Sequence, residues 1–264
     1  MMIDPASVWV AFGLTLLAGL STGIGSLAAL FTNRTNTRAL SVGLGFSAGV
    51  MIYVSFVEFL PLAQEGLGVW QTAAAFLGGM TAVAVLDRLV PFPQNPHEVR
   101  RVEEICDQAG RGCGSAGLYR TGIVTAGAIA LHNMPEGMAT FSSALLDPGL
   151  GVAIAVAIAI HNIPEGIAVS VPIYYATGSR VQAIGYSLLS GLAEPVGALI
   201  AFFLLSPYMG AALSGAIFAV VAGIMVFVAL DELLPAAREY GEAHLSIYGL
   251  IAGMALMAVI LAAM

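Results

Sequence analysis

Two hexapeptides carry the chemistry of this chain: His132-Asn133-Met134-Pro135-Glu136-Gly137, and His161-Asn162-Ile163-Pro164-Glu165-Gly166, which begins 29 residues later. In each, His and Glu are four positions apart, and on a helix such positions share a face. Both copies lie inside apolar segments, and Glu194, followed by Pro195, adds a third carboxylate at matching depth in another. A charge at the centre of a bilayer costs about 2.5–3.5 kcal/mol, and no Arg lies near these mid-span positions to offset it. The compensating cation is therefore a proton or a metal ion. Imidazole beside carboxylate argues for the metal, because both are ligands of first-row divalent ions. Asn133 and Asn162 offer amide oxygens beside each His.

Proline and glycine sharpen the pattern. Pro135, Pro164 and Pro195 have no N–H for the carbonyls of Leu131, Ile160 and Gly191, which predicts three helices opened at one level. Freed carbonyls are tolerated in lipid only where they face protein or a polar cavity. Gly137 and Gly166 then permit close helix approach. A single His on an apolar helix is ordinarily a satisfied core residue, and a single Pro a kink; duplication of the whole set is what argues for a site.

The elements that must position these groups are membrane spans. The chain of 264 residues is 59% hydrophobic and only 9% charged, with a mean hydropathy of +0.92. A span needs about 20 apolar residues, and eight such stretches occur: 8–31, 39–63, 69–90, 119–146, 150–177, 181–205, 209–236 and 244–264. All nine basic residues are Arg, and all fall on one side of this arrangement. The positive-inside rule makes that side cytoplasmic and puts both termini outside. The absence of Lys excludes a Walker A phosphate loop and a Schiff-base cofactor. Two cysteines do not make a disulfide scaffold. The first apolar run is too long for a signal peptide and reads as a retained span. The sequence thus predicts an all-α integral membrane protein: one transporter domain, residues 1–264, with a cytoplasmic loop at 91–118. In that loop His97, Glu98, Glu103, Glu104 and Cys106 could bind metal, although ordinary solvated charges account for them more simply.

A second repeat bears on architecture. Ala48–Pro61 reads AGVMIYVSFVEFLP and Ala222–Pro235 reads AGIMVFVALDELLP, with seven of fourteen positions identical. These lie in the second and seventh spans, which run antiparallel, so spans one to three and six to eight form an inverted repeat around the motif pair, a 3+2+3 plan. Glu58 and Glu232 are equivalent in this repeat. Each lies near its helix end, and with Asp231 they read either as acidic residues at the entrance and exit of a cation path or, equally well, as interfacial side chains that snorkel to water. Met51, seven residues before Glu58, reaches the central level; its thioether could join a soft-ion site or fill the core.

At these residues the chain resembles the ZIP (Zrt/Irt-like) family of divalent metal transporters, and within it the bacterial ZupT-type branch. The resemblance covers essentially the whole chain, through HNMPEG, HNIPEG and GLAEP in order. It implies a binuclear transport site at Met51, His132, Asn133, Glu136, His161, Asn162, Glu165 and Glu194. It also implies an elevator-like movement of spans one, four, five and six against the other four.

The expected activity is import of Zn²⁺, with Fe²⁺, Mn²⁺, Co²⁺ and Cd²⁺ as further substrates, across the cytoplasmic (inner) membrane. The metal is cargo, not a cofactor, and the chain is not an enzyme. In this reading Glu136 and Glu165 reach both metal positions, His132 and His161 each hold one end, and Glu194 completes the second position. Its partners are lipid, the metal and, as a candidate, a second copy of the chain; no nucleic acid is expected. An intramembrane di-metal oxidase would instead pair Glu-x-x-His on one helix. A proton or sodium carrier without a metal site would show no stabilisation by divalent ions.

Overall fold

Segments this apolar can satisfy their backbone in lipid only as helices or closed barrels, and every described element is helical. The computed structural model describes residues 4–31, 37–89, 115–205, 210–240 and 243–263. The loop expected at 91–118 lies outside these residues except for its last four, which open a helix. Eight helical rods result among the described residues. They are α1 (Pro5–Phe31); α2 (Thr37–Val54, the π turn Ser55–Phe59 and Leu60–Leu67); α3 (Val69–Leu89); and α4 (Ser115–Leu146). Then follow α5 (Pro148–Thr177); α6 (Arg180–Gly191, Ala193–Ile200 and the π turn Ala201–Leu205); α7 (Ala211–Val228, the π turn Ala229–Leu233 and Leu234–Tyr240); and α8 (Ala243–Ala262).

Seven of these are long and apolar enough to cross a membrane, and the exception is α4. With 32 residues it has ample length. It lacks the apolarity because it carries His132, Asn133, Glu136, Thr140, Ser142 and Ser143, all of them buried, while Ile123, Leu131 and Leu146 are exposed. The helix is polar inward and apolar outward, as a span must be when its polar groups serve a site.

Chain breaks are set locally. Asp147 caps α5, its side chain accepting from the Leu150 N–H at 2.9 Å, with Pro148 in the first turn. Gly178, at φ 66°, ends α5, and Ser179 caps α6. Links this short make α4, α5 and α6 successive antiparallel neighbours. Pro135 and Pro164 sit inside continuous helices, whereas α6 breaks at Leu192, just before Glu194-Pro195. Of the three openings expected from the prolines, this is the one that interrupts its helix. The π turns of α2 and α7 share a sequence cause: each ends two residues before a proline, Pro61 or Pro235. A proline ring collides with the carbonyl four residues back. The wider turn, closed by Leu60 N–H on the Ser55 carbonyl and by Leu234 N–H on that of Ala229, relieves the collision in α2 and α7.

Packing divides the rods into two sets. Helices α1, α4, α5 and α6 pack on one another, as do α2, α3, α7 and α8, and the sets meet chiefly where α2 lies on α5 and α7 on α4. Within a set the backbones touch. A Cβ on Gly25 would lie 1.9 Å from the Ile163 carbonyl oxygen, and one on Gly166 1.9 Å from that of Thr22, so α1 and α5 interlock. Gly45, Gly49, Gly249 and Gly253 do the same for α2 and α8. Every described glycine in such close contact makes it inside its own set. Between the sets lies the main apolar core, with Ala139, Ile154, Ala157 and Ile158 on one side and Leu44, Ala48, Met51, Phe218 and Met225 on the other.

Candidate metal site

The interlocked helices bring the two motifs together. Gly137 of α4 seats against the Glu194 backbone at the break in α6, and Gly197 seats against Met134, which draws Glu194 to the first motif. Short links and the Gly166–Thr22 contact hold α5 between α4 and α1. His132 Nε2 then lies 2.6 Å from Glu165 Oε1, and His161 Nε2 lies 3.1 Å from the same oxygen and 3.3 Å from Glu136 Oε2. One ligand atom from each of His132, His161 and Glu165 falls within 4.8 Å of the others, and all three residues are buried.

Both imidazoles converge on one carboxylate oxygen, with ring centroids 6.3 Å apart. The second cluster consists of Asn162 and Glu194. Asn162 Nδ2 donates to Glu194 Oε1 and to the Ala18 carbonyl, the latter at 2.9 Å. Asn133 is fully buried beside the first cluster, and with its amide turned it donates to Glu165 Oε2 at 3.2 Å. Glu136 Oε1, Glu194 Oε2 and Asn162 Oδ1 are buried without a hydrogen-bond donor among the described residues. A buried polar atom left unsatisfied costs about 1–3 kcal/mol, so three such oxygens around two imidazoles form a donor set suited to a cation.

Met51 is fully buried in the core between the sets. The acidic residues of the repeat are placed unequally. Glu58 is partly buried and Asp231 exposed, whereas Glu232 is buried. One residue escaped the sequence reading: Ser47 of α2, fully buried, whose Oγ lies 3.1 Å from His161 Nδ1. Its signal was available, since Ser47 is one helical turn before Met51 and therefore on the same face.

A family profile described as ZIP zinc transporter matches residues 95–261. Among curated proteins, a zinc transporter ZupT of Lysinibacillus sphaericus is 58% identical over 261 residues, covering 96% of this chain and 97% of the relative. Proteins of the same name from Streptococcus mutans and Nitratidesulfovibrio vulgaris are 57% and 55% identical, each alignment covering at least 96% of both chains.

Proposed function

The chain belongs to the ZIP family of zinc transporters, and from that premise we propose that it is a multi-pass carrier importing Zn²⁺ into the cytoplasm through the buried cluster of His132, His161, Glu136 and Glu165. The observation that carries this reading is the convergence of two imidazoles and two carboxylates, one from each copy of a duplicated motif, deep among membrane spans. Asn162, Glu194 and Asn133 form a second position beside it, and Met51 contributes from α2. Imidazole and carboxylate do not select sharply among divalent ions, so Fe²⁺, Mn²⁺, Co²⁺ and Cd²⁺ are further substrates, ranked by the general affinity order.

The 3+2+3 inverted repeat is supported by the two π turns, Ser55–Phe59 and Ala229–Leu233, which occupy equivalent places in the repeated sequences of α2 and α7. Termini outside the cell follow from the clustering of Arg at one end of the rods. The division into two glycine-locked sets favours an elevator movement in which α1, α4, α5 and α6 carry the metal along the other four. Glu232 takes the metal on its way out of the site, while Glu58 and Asp231 lie along the ends of the path. A second copy of the chain is the candidate protein partner.

Radioactive zinc flux into proteoliposomes tests the assignment. Glu136→Ala combined with His132→Ala is expected to abolish uptake, and unchanged flux in that variant would sink the site.

A further inference from the structure

A histidine that ligates a metal through Nε2 must carry its proton on Nδ1, and that N–H ordinarily donates to a fixed acceptor which sets the tautomer and the ring plane. His161 presents Nε2 to Glu136 and Glu165, at 3.3 and 3.1 Å. Its Nδ1 faces Ser47 Oγ at 3.1 Å, and both residues are fully buried. Ser47 belongs to α2, so this contact crosses from one helix set to the other. The aligned position in α7, one residue before the repeat, is Val221, which carries no hydroxyl.

We propose that Ser47 is a positioning residue for metal capture, holding the His161 ring across the boundary between the two helix sets so that Nε2 points at the metal. The inference rests on the zinc-site reading above. A consequence follows for the transport cycle. Because the acceptor stands on α2 while the ligand rides on α5, sliding one set along the other withdraws Ser47 from Nδ1. The site then keeps its imidazole and carboxylate ligands but loses the group that orients one of them, and the metal is held less tightly. Ser47 thereby ties metal affinity to the relative position of the sets. Met51, one turn further along the same face of α2, approaches from the same side.

The test uses the full-length protein in detergent and in proteoliposomes, with Zn²⁺ as the probe. Ser47→Ala is expected to raise the Kd from calorimetry and the KM for uptake by about 10- to 100-fold, the usual loss when such a supporting group is removed, with the maximal rate nearly unchanged. Ser47→Thr, which keeps the hydroxyl, restores binding. In a His161→Ala background, Ser47→Ala produces no additional loss, as coupling through that ring requires. Melting in chelator confirms that each variant is folded. Wild-type binding with Ser47→Ala unchanged would overturn this inference alone, and so would an equal loss in the His161→Ala background. A wild-type chain that binds no zinc would overturn the site reading and this one with it.

Discussion

In the set formed by α1, α4, α5 and α6, the buried side chains include His132, Asn133, Glu136, His161, Asn162, Glu165 and Glu194; in the set formed by α2, α3, α7 and α8, Glu232 is the buried ionisable residue among those described. Yet the two are packed alike, with glycines seating one helix directly on the backbone of another in both. Rigidity is therefore common to the sets, while the buried imidazoles and most of the buried carboxylates lie in one. The surface between them has a different texture. Its core is made of Ala, Leu, Ile, Met and Phe side chains, with no described glycine seat across it. Backbone-to-backbone seats resist sliding because a shift of one residue puts a Cβ where a glycine was; smooth apolar side chains offer less resistance. In the elevator movement proposed above, the first set carries the cargo and the second provides the track.

The strongest way to break that comparison is to remove one carboxylate from each set. Glu165 touches both imidazoles, so Glu165→Ala should eliminate zinc uptake. It should also eliminate stabilisation by zinc, which for a site at 100 times its Kd amounts to about 2.7 kcal/mol. Glu58→Ala in the other set should leave that stabilisation intact and reduce flux only severalfold. Thermal melting with and without zinc decides the matter, and a loss of the zinc shift in Glu58→Ala would mean that the carboxylates that hold the metal are not concentrated in one set.

How much of this division was legible in the sequence depends on the kind of signal. The motif residues were readable because burying His and Glu in an apolar segment is costly, and doing it twice at one spacing leaves few explanations. Span boundaries were readable from apolar length; α5 was expected at 150–177 and runs Pro148–Thr177. The convergence of both imidazoles on Glu165 was not readable, since it depends on the rotation of α4 against α5, which the seats at Gly137 and Gly166 fix only after folding. Ser47 went unnoticed because a serine in a span satisfies itself so readily on its own helix, as Ser21 and Ser26 do here on the Ala18 and Gly23 carbonyls. The π turns left a trace, the proline two residues on, that identifies them only once their positions are known.

A second test addresses the packing that the sets share. Gly25→Ala in one and Gly49→Ala in the other would each place a Cβ about 2 Å from a carbonyl oxygen of a neighbouring helix. Both should lose stability by about 1–3 kcal/mol, the usual cost of overpacking. Gly78→Ala, whose Cβ meets nothing within 4 Å, should lose none. Melting in detergent without zinc reads the effect. A tolerant Gly49 would show that the track is the looser body.

The unequal burial of the repeat's two glutamates gives a smaller effect. Glu232→Gln should slow zinc uptake several times more than Glu58→Gln, because Glu232 is buried and Glu58 only partly so. Equal rates in the two variants would restore the picture of matched acidic mouths. Acidity acts on both sets through the same ligands. Metal must displace protons from His and Glu, so lowering the pH favours the protonated site, and the apparent KM for zinc should rise as pH falls. Flux measured across a pH series with the membrane potential clamped separates this competition from any change in driving force.

The smallest expected effect concerns the π turns, where the two halves of the repeat behave most alike. In α2 the ring of Pro61 displaces the Val57 carbonyl, and in α7 the ring of Pro235 displaces that of Asp231, through the same four-residue relation. Replacing either proline by Ala supplies an N–H and removes the collision, so the turn can tighten into an ordinary α-helix with one more intrahelical bond, worth about 1 kcal/mol. Tightening also rotates everything beyond the turn relative to the helix before it, which in α7 would move Arg238 and in α2 Glu65. Stability should therefore change little, while hydrogen exchange slows across Ser55–Leu60 in Pro61→Ala and across Ala229–Leu234 in Pro235→Ala. If only one of the two slows, the turns have separate causes, and their matching positions no longer support a common origin for the two halves of the track.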